Sequence, residues 1–259
     1  MFARLEEWAR QIDPFLRPGF VRGLIVVSFC AIALLVLTDR ATHIFPPQVG
    51  TRIMFSLEEE ANIPTCFASM LWLLVAFYSF HCYRADLTSD AFKPTDRFWL
   101  LIMSAFLYCS IDEEAKIHER LPWIVSDLSQ QLGFGPFALT GSWLLIYSPV
   151  LISFIVISGI FLWKKLAFAP TGRLFLGLIG LCYALAVGLE VLKTLPNGQQ
   201  ICTSTRFLKE TRIIYLAQET LENLGTAFTL AAVAGYASAK FALLRSQQTA
   251  KNAYTEIIS

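Results

Sequence analysis

Residues 213–239 read IIYLAQETLENLGTAFTLAAVAGYASA. The stretch is long enough to cross a hydrocarbon core about 30 Å thick, which takes about 20 apolar helical residues. Its first half nevertheless carries Glu219 and Glu222. Wound as a helix, it places Tyr215, Glu219, Glu222, Asn223 and Thr226 on one face, with Leu216, Leu221, Leu224 and Phe228 away from it. An ionised side chain at membrane depth costs about 2.5–3.5 kcal/mol on insertion scales, so it usually marks a site. The stretch therefore predicts a membrane helix with one polar, functional face.

Five further runs have comparable length and apolarity: Phe20–Thr38, Ile63–Cys82, Phe98–His118, Ala138–Trp163 and Leu174–Leu192. The prediction is an all-α integral membrane protein, a six-helix transmembrane bundle forming a single domain over 20–239, followed by a cytoplasmic tail over 240–259. Ahead of the first span, Phe2, Leu5, Trp8, Ile12 and Phe15 recur at helical spacing with Arg4, Arg10 and Arg17 between them. This predicts an amphipathic helix over 1–19 lying in the inner interface, or else docked on the protein's own inner loops. Trp123, Ile124, Leu128 and Leu132 predict a similar half-submerged stretch on the other side.

Composition excludes several classes. Of 259 residues 55% are hydrophobic and 16% charged, which is too apolar for an ordinary soluble domain. A net charge of +1 gives no footprint for nucleic acid. The six cysteines lack C-x-x-C spacing, which excludes a zinc ribbon or thioredoxin motif and leaves a Cys66–Cys202 disulfide open. There is no G-x-S-x-G elbow, Walker A loop or H-E-x-x-H helix.

Basic residues orient the spans. Arg4, Arg10, Arg17, Arg22, Arg84, Lys93, Arg97, Lys164, Lys165, Arg173, Lys240, Arg245 and Lys251 fall on one side, against Arg40, Arg52, Lys116, Arg120, Lys193, Arg206, Lys209 and Arg212 on the other. The richer side belongs in the cytoplasm, with both termini. Depth follows from a rise of 1.5 Å per residue. Asp112 lies about 21 Å from the inner face, Glu190 about 24 Å, Glu222 about 27 Å, and Glu219, His118 and Glu119 about 30 Å. Four helices thus bring acids to one slab near the outer interface, Glu58, Glu59 and Glu60 standing just above it. On the third span Tyr108, Asp112, Lys116 and Glu119 form a stripe, and Glu114 and His118 share a neighbouring face. On the fifth, Glu190 lines up with Tyr183 and Ala186, while Gly177, Gly180, Ala184 and Gly188 suit close helix packing. The first and fourth spans carry no ionised residue mid-way and are expected at the periphery.

The second span opens Glu-Glu-Glu-Ala-Asn-Ile-Pro-Thr (58–65), where Pro64 fits a first turn and Asn62 an N-cap. Together with Ser-Ile-Asp-Glu-Glu-Ala-Lys-Ile-His-Glu (110–119), this segment resembles uncharacterised multi-pass bacterial membrane proteins that pair an E-x-N-x-P-T segment with a D-E…H-E segment. The resemblance implies a bacterial inner-membrane setting.

Carboxylates sharing a low-dielectric slab must bind a cation, pair with bases or hold protons. Asp112, His118, Glu119, Glu190, Glu219 and Glu222 are the expected metal ligands, with Asp112, Glu119 and Glu222 the catalytic candidates. The oxygen-rich set suits Mn, Fe, Mg or Ca. It departs from di-iron bundles, whose histidines follow glutamate at i+3. The leading expectation is a metal-dependent membrane enzyme acting on a lipid or small apolar molecule from the outer leaflet. An accessory subunit of a larger membrane complex is the second expectation. Proton- or cation-coupled transport is the third, weakened because the acids avoid the midplane and no inverted repeat is present.

Overall fold

A computed structural model describes residues 14–44, 53–57, 62–89, 93–117, 120, 142–168, 170–194 and 208–258. The described residues form six α-helices and two short 3-10 turns and contain no strand. The helices are α1 (Pro18–Ile44), α2 (Ile63–Leu87), α3 (Phe98–Ala115), α4 (Ser142–Lys165), α5 (Pro170–Thr194) and α6 (Leu208–Ile258). Four stretches, Pro18–Thr42, Ile63–Leu87, Thr171–Leu192 and Ile213–Gln247, are long and apolar enough to cross a membrane.

Local chemistry sets the helix ends. The Asn62 side chain caps α2 by accepting from Thr65 N at 3.1 Å, and Pro64 occupies the first turn, where its missing N–H costs nothing. Asn62 Nδ2 also donates to Ile53 O (3.1 Å) and Ser56 O (2.6 Å), holding the short turn at 53–55 against the cap. Helix α3 stops earlier than its apolar pattern predicts. Lys116 takes a left-handed conformation (φ 54°, ψ 41°) and its N–H closes the last turn on Asp112 O at 2.7 Å. The stripe from Tyr108 and Asp112 through Lys116 to Glu119 is therefore not continuous on this helix. Helix α6 runs on past the expected span, so the segment over 240–259 is helical to Ile258.

Helix α6 lies at the centre, packed on α5, α2 and α1, while α3 packs on α2. Small residues make this approach close: Ala227, Ala231, Ala232, Ala234 and Ala237 of α6 are buried, and Cys82 Sγ lies 3.4 Å from Val233 O. Trp99, Tyr78, Leu71, Ile102 and Leu230 fill the remaining volume. The expected peripheral helices differ. The middle of α4 is largely exposed, including Val150, Ile152, Ile155 and Val156, whereas α1 buries Ile32, Leu35 and, near its end, Asp39. Such outward apolar surface is what hydrocarbon, not water, would cover. Of the expected interfacial helix, residues 1–13 lie outside the described residues. Its end docks on the protein: Leu16 is buried and Tyr78 donates its hydroxyl to Phe15 O at 2.9 Å.

Candidate functional site

The most complete polar cluster is one the sequence reading passed over. Asp86, near the end of α2, accepts from Trp99 Nε1 (3.0 Å), Tyr236 OH (2.7 Å) and Lys165 Nζ (2.6 Å), and Lys240 Nζ stands 3.6 Å away. Lys165 Nζ also pairs with Asp96 Oδ1 at 2.8 Å, and Asp96 Oδ2 accepts from Lys93 N at 3.1 Å. Both carboxylates are almost fully buried. Two acids meet two lysines, so the cluster is neutral as a unit, and it ties together α2, the start of α3, the end of α4 and α6. Breaking such a cluster costs more than making it gains, because each buried charge depends on its partner. One sequence signal pointed to it: Tyr236, a bulky ring with a hydroxyl among the alanines of the last span, three residues before that span's expected end at Ala239.

At mid-height lies an aromatic stack. The Trp72 ring is sandwiched between Phe106 (centroids 5.3 Å, 24°) and Tyr183 (6.2 Å, 16°). Tyr183 in turn lies on Gly225, where a Cβ would stand 3.0 Å from its Cζ. Four helices, α3, α2, α5 and α6, thus meet in one layer. Glycine is required at 225 because a side chain there would displace the ring.

Beyond this layer, on the end away from Asp86, come the sequence-predicted acids. At 1.5 Å per residue Asp112, Glu190 and Glu219 stand about 9–11 Å past the stack, on α3, α5 and α6, and Glu222 about 4–5 Å past it. All four are half-buried. Among the described residues, however, no three His, Cys, Asp or Glu side chains stand close enough to hold a metal ion. The described acids surround a common level rather than converge on a point. His118 and Glu119, with Glu58, Glu59 and Glu60, lie outside the described residues. Cys66 is an exposed thiol, and Cys202, the other half of the disulfide left open by the sequence, lies outside the described residues.

A file of polar side chains runs along α6 above the stack. Gln218 Nε2 donates to Glu222 Oε1 at 2.9 Å, and Thr226 Oγ1 donates to Glu222 O at 2.9 Å. Thr226 Oγ1 and Tyr183 OH are 3.0 Å apart. Because the single Thr226 proton is committed to Glu222 O, the Tyr183 hydroxyl donates and Thr226 accepts. Thr220 and Thr229 return their hydroxyls to Leu216 O and Gly225 O. Asn223, expected beside Glu222, turns its Nδ2 back to Glu219 O at 2.9 Å. Gln218 Oε1 and Asn223 Oδ1 are buried acceptors with no hydrogen-bond partner. At the same end Ser69 Oγ donates to Ser110 O (2.9 Å), joining α2 to α3. Asp39 Oδ1 accepts from Leu57 N (3.2 Å).

No curated protein and no solved structure matches the chain. A family model described as a domain of unknown function (DUF8692) matches residues 24–235, which run from early in α1, through the stack and its acids, to the turn of α6 beside Tyr236, and the chain belongs to that family.

Proposed function

We propose that the protein is a six-span bacterial inner-membrane protein, both termini cytoplasmic, that admits a lipid or small molecule to a compartment in its outer half. The observation that carries this reading is the stack of Phe106, Trp72, Tyr183 and Gly225, with acids from three helices rising past it on one side only. On the other side the polar groups around Asp86 are neutralised and buried, as a closed end should be. The stack serves as the floor of the compartment, and Asp112, Glu190, Glu219 and Glu222 as its rim.

Metal-dependent chemistry on the bound molecule is the catalytic form of this reading. The rim's oxygens suit Mn, Mg, Ca or Fe, but the described acids do not make a coordination sphere alone, and His118 and Glu119 would have to complete it. Elemental analysis and lipid extraction of the purified chain test both parts. A stoichiometric metal lost in Asp112→Ala and in His118→Ala supports catalysis. A co-purifying small molecule lost in Glu222→Gln, without metal, supports a binding compartment. Neither result in a folded protein overturns the reading. One observation favours a second reading, an accessory subunit: Gly177, Gly180 and Gly188 of α5, expected to suit close helix packing, have open space at their Cβ positions. A partner's membrane helix would fit that stripe.

A further inference from the structure

The acids around Asp86 leave some cations at their end of the bundle unmatched. Lys165 meets Asp86 and Asp96, and Lys240 meets Asp86. Lys164, one residue before Lys165 and so on a different face of α4, is exposed, and Arg173 lies near the start of α5. No described acid pairs with either. Arg173 instead lays its guanidinium over the Trp163 ring, Cζ 4.8 Å from the centroid. Its Nε is buried without a hydrogen-bond partner among the described residues, while its two Nη atoms are accessible. Stacking holds the guanidinium plane and leaves its edge free to donate, and a planar fork with a free edge suits a phosphate.

The surface beside this pair is apolar and faces outward. Val156, Ile160 and Trp163 follow one another on one face of α4 and are 54%, 54% and 52% exposed. On α5, Arg173, Gly177, Gly180 and Ala184 share a face, with Gly177, Gly180 and Ala184 exposed and open space at the Cβ positions of both glycines. The Arg173–Trp163 contact sets these two faces side by side, so the cations stand at the end of an apolar lane. A partner helix on that lane would have to bring its own acid to Arg173. A lipid carries its anion and its apolar chains in one molecule, so charge and surface together favour it.

We propose that Arg173 and Lys164 bind the phosphate of an anionic lipid whose acyl chains lie along Ile160, Val156 and the glycines of α5. Arg173 donates from its Nη edge, and Lys164 supplies a second charge. Trp163 is a positioning residue: it fixes the guanidinium plane at the level where interfacial aromatic rings sit. The site is separate from the compartment at the other end of the bundle and stands without it.

The full chain, solubilised from vesicles of equal phosphatidylglycerol and phosphatidylethanolamine, tests this by native mass spectrometry. Preferential retention of phosphatidylglycerol is expected, reduced about fivefold by Arg173→Gln and by Lys164→Gln, as removal of one cation from an anionic headgroup should do. Lys164 is exposed and has no described hydrogen bond or ion pair, so a loss there cannot be ascribed to unfolding. Arg173→Lys keeps the charge without the fork and should still fall short of the wild type. Arg97→Gln, at another exposed cation of the same end, should leave the preference unchanged. Equal retention of both lipids, indifference to either glutamine variant, or an equal loss in Arg97→Gln would overturn the proposal. Displacement of the lipid by millimolar inorganic phosphate would assign the cations to a free anion and overturn it. A stoichiometric protein partner retained in the lipid's place would also overturn it, in favour of the accessory-subunit reading.

Discussion

Replacing Asp86 with alanine should be the most damaging single change at the closed end of the bundle. The carboxylate receives Trp99 Nε1, Tyr236 OH and Lys165 Nζ within 3.0 Å, with Lys240 at 3.6 Å. Hydrogen bonds to a charged group are worth about 1.5–3 kcal/mol each, so simple addition would give an unrealistic total. Two features reduce it. Lys165 keeps Asp96 at 2.8 Å, and Lys240, with a side chain 20% exposed, can turn toward the headgroups. What remains is the Tyr236 hydroxyl and the Trp99 N–H stripped of the carboxylate they shared, and Lys165 half-compensated. Removing one member of a buried ion pair costs about 3–5 kcal/mol, and about 4 is expected here. For a chain of this size that lowers Tm by about 10 °C. Cys82, fully buried one turn before Asp86, offers the readout. In a chain retaining it as the single cysteine, reaction with a thiol-sensitive dye during heating reports opening of this region. Ser153→Ala, at an exposed site on α4, serves as control. A drop under about 2 °C, indistinguishable from that control, would refute the claim that this cluster holds four helices together. The double change Asp86→Asn with Lys165→Met should cost less than the sum of its parts, since it removes charge from both sides.

Three further outcomes are expected. Gly225→Ala puts a methyl 3.0–3.2 Å from the Tyr183 ring and should cost about 1–3 kcal/mol by overpacking, read as the same thermal shift; an unchanged Tm would mean the stack is loose. Asn62→Ala removes the cap of α2 and the two bonds holding the 53–55 turn, a loss of about 1–2 kcal/mol, whereas Asn62→Asp should recover the capping part only; a Tm for Asn62→Asp equal to that of the wild type would remove the donor role. Ser69→Ala deletes the bond between α2 and α3 and should cost only about 0.6 kcal/mol, as interhelical hydrogen bonds in membranes usually do; a loss above about 2 would imply a wider network at Ser110.

Helix positions were readable because apolar run length is a physical requirement of the bilayer, and α2 begins at Ile63, as its cap and proline imply. Ends were less readable. Nothing local distinguishes Lys116 as the residue that turns left-handed and stops α3, since lysine has no special preference for that conformation. The same blindness hid the cluster around Asp86. Lys165 and Lys240 count correctly as basic residues at helix ends, but a count of charges says nothing about whether they face lipid headgroups or each other. Asp39 was missed because it follows an apolar run and reads as a loop residue, yet it is 2% exposed and holds Leu57 N. The level of the acids was legible from rise per residue alone. Their mutual distances were not, because these depend on helix rotation and on how the rings of the stack fill the space between α2, α3 and α5.

The two polar regions of this bundle argue against each other in a useful way. Around Asp86 the Trp99, Tyr236 and Lys165 donors meet one carboxylate and Lys165 also meets Asp96, so stability is a sufficient explanation for these groups. Along α6 at the other end Gln218 donates to Glu222 and Thr226 to the Glu222 carbonyl, while Gln218 Oε1 is buried without a hydrogen-bond partner. The Gln218 amide N–H steadies the Glu222 carboxylate, and the unpaired oxygen is the cost of that bond. Buried atoms without hydrogen-bond partners occur at both ends, Ser238 Oγ and Arg173 Nε at one and Gln218 Oε1 and Asn223 Oδ1 at the other, so the contrast between the ends lies in their charges: two lysines meet the acids around Asp86, whereas the described outer acids stand on three separate helices.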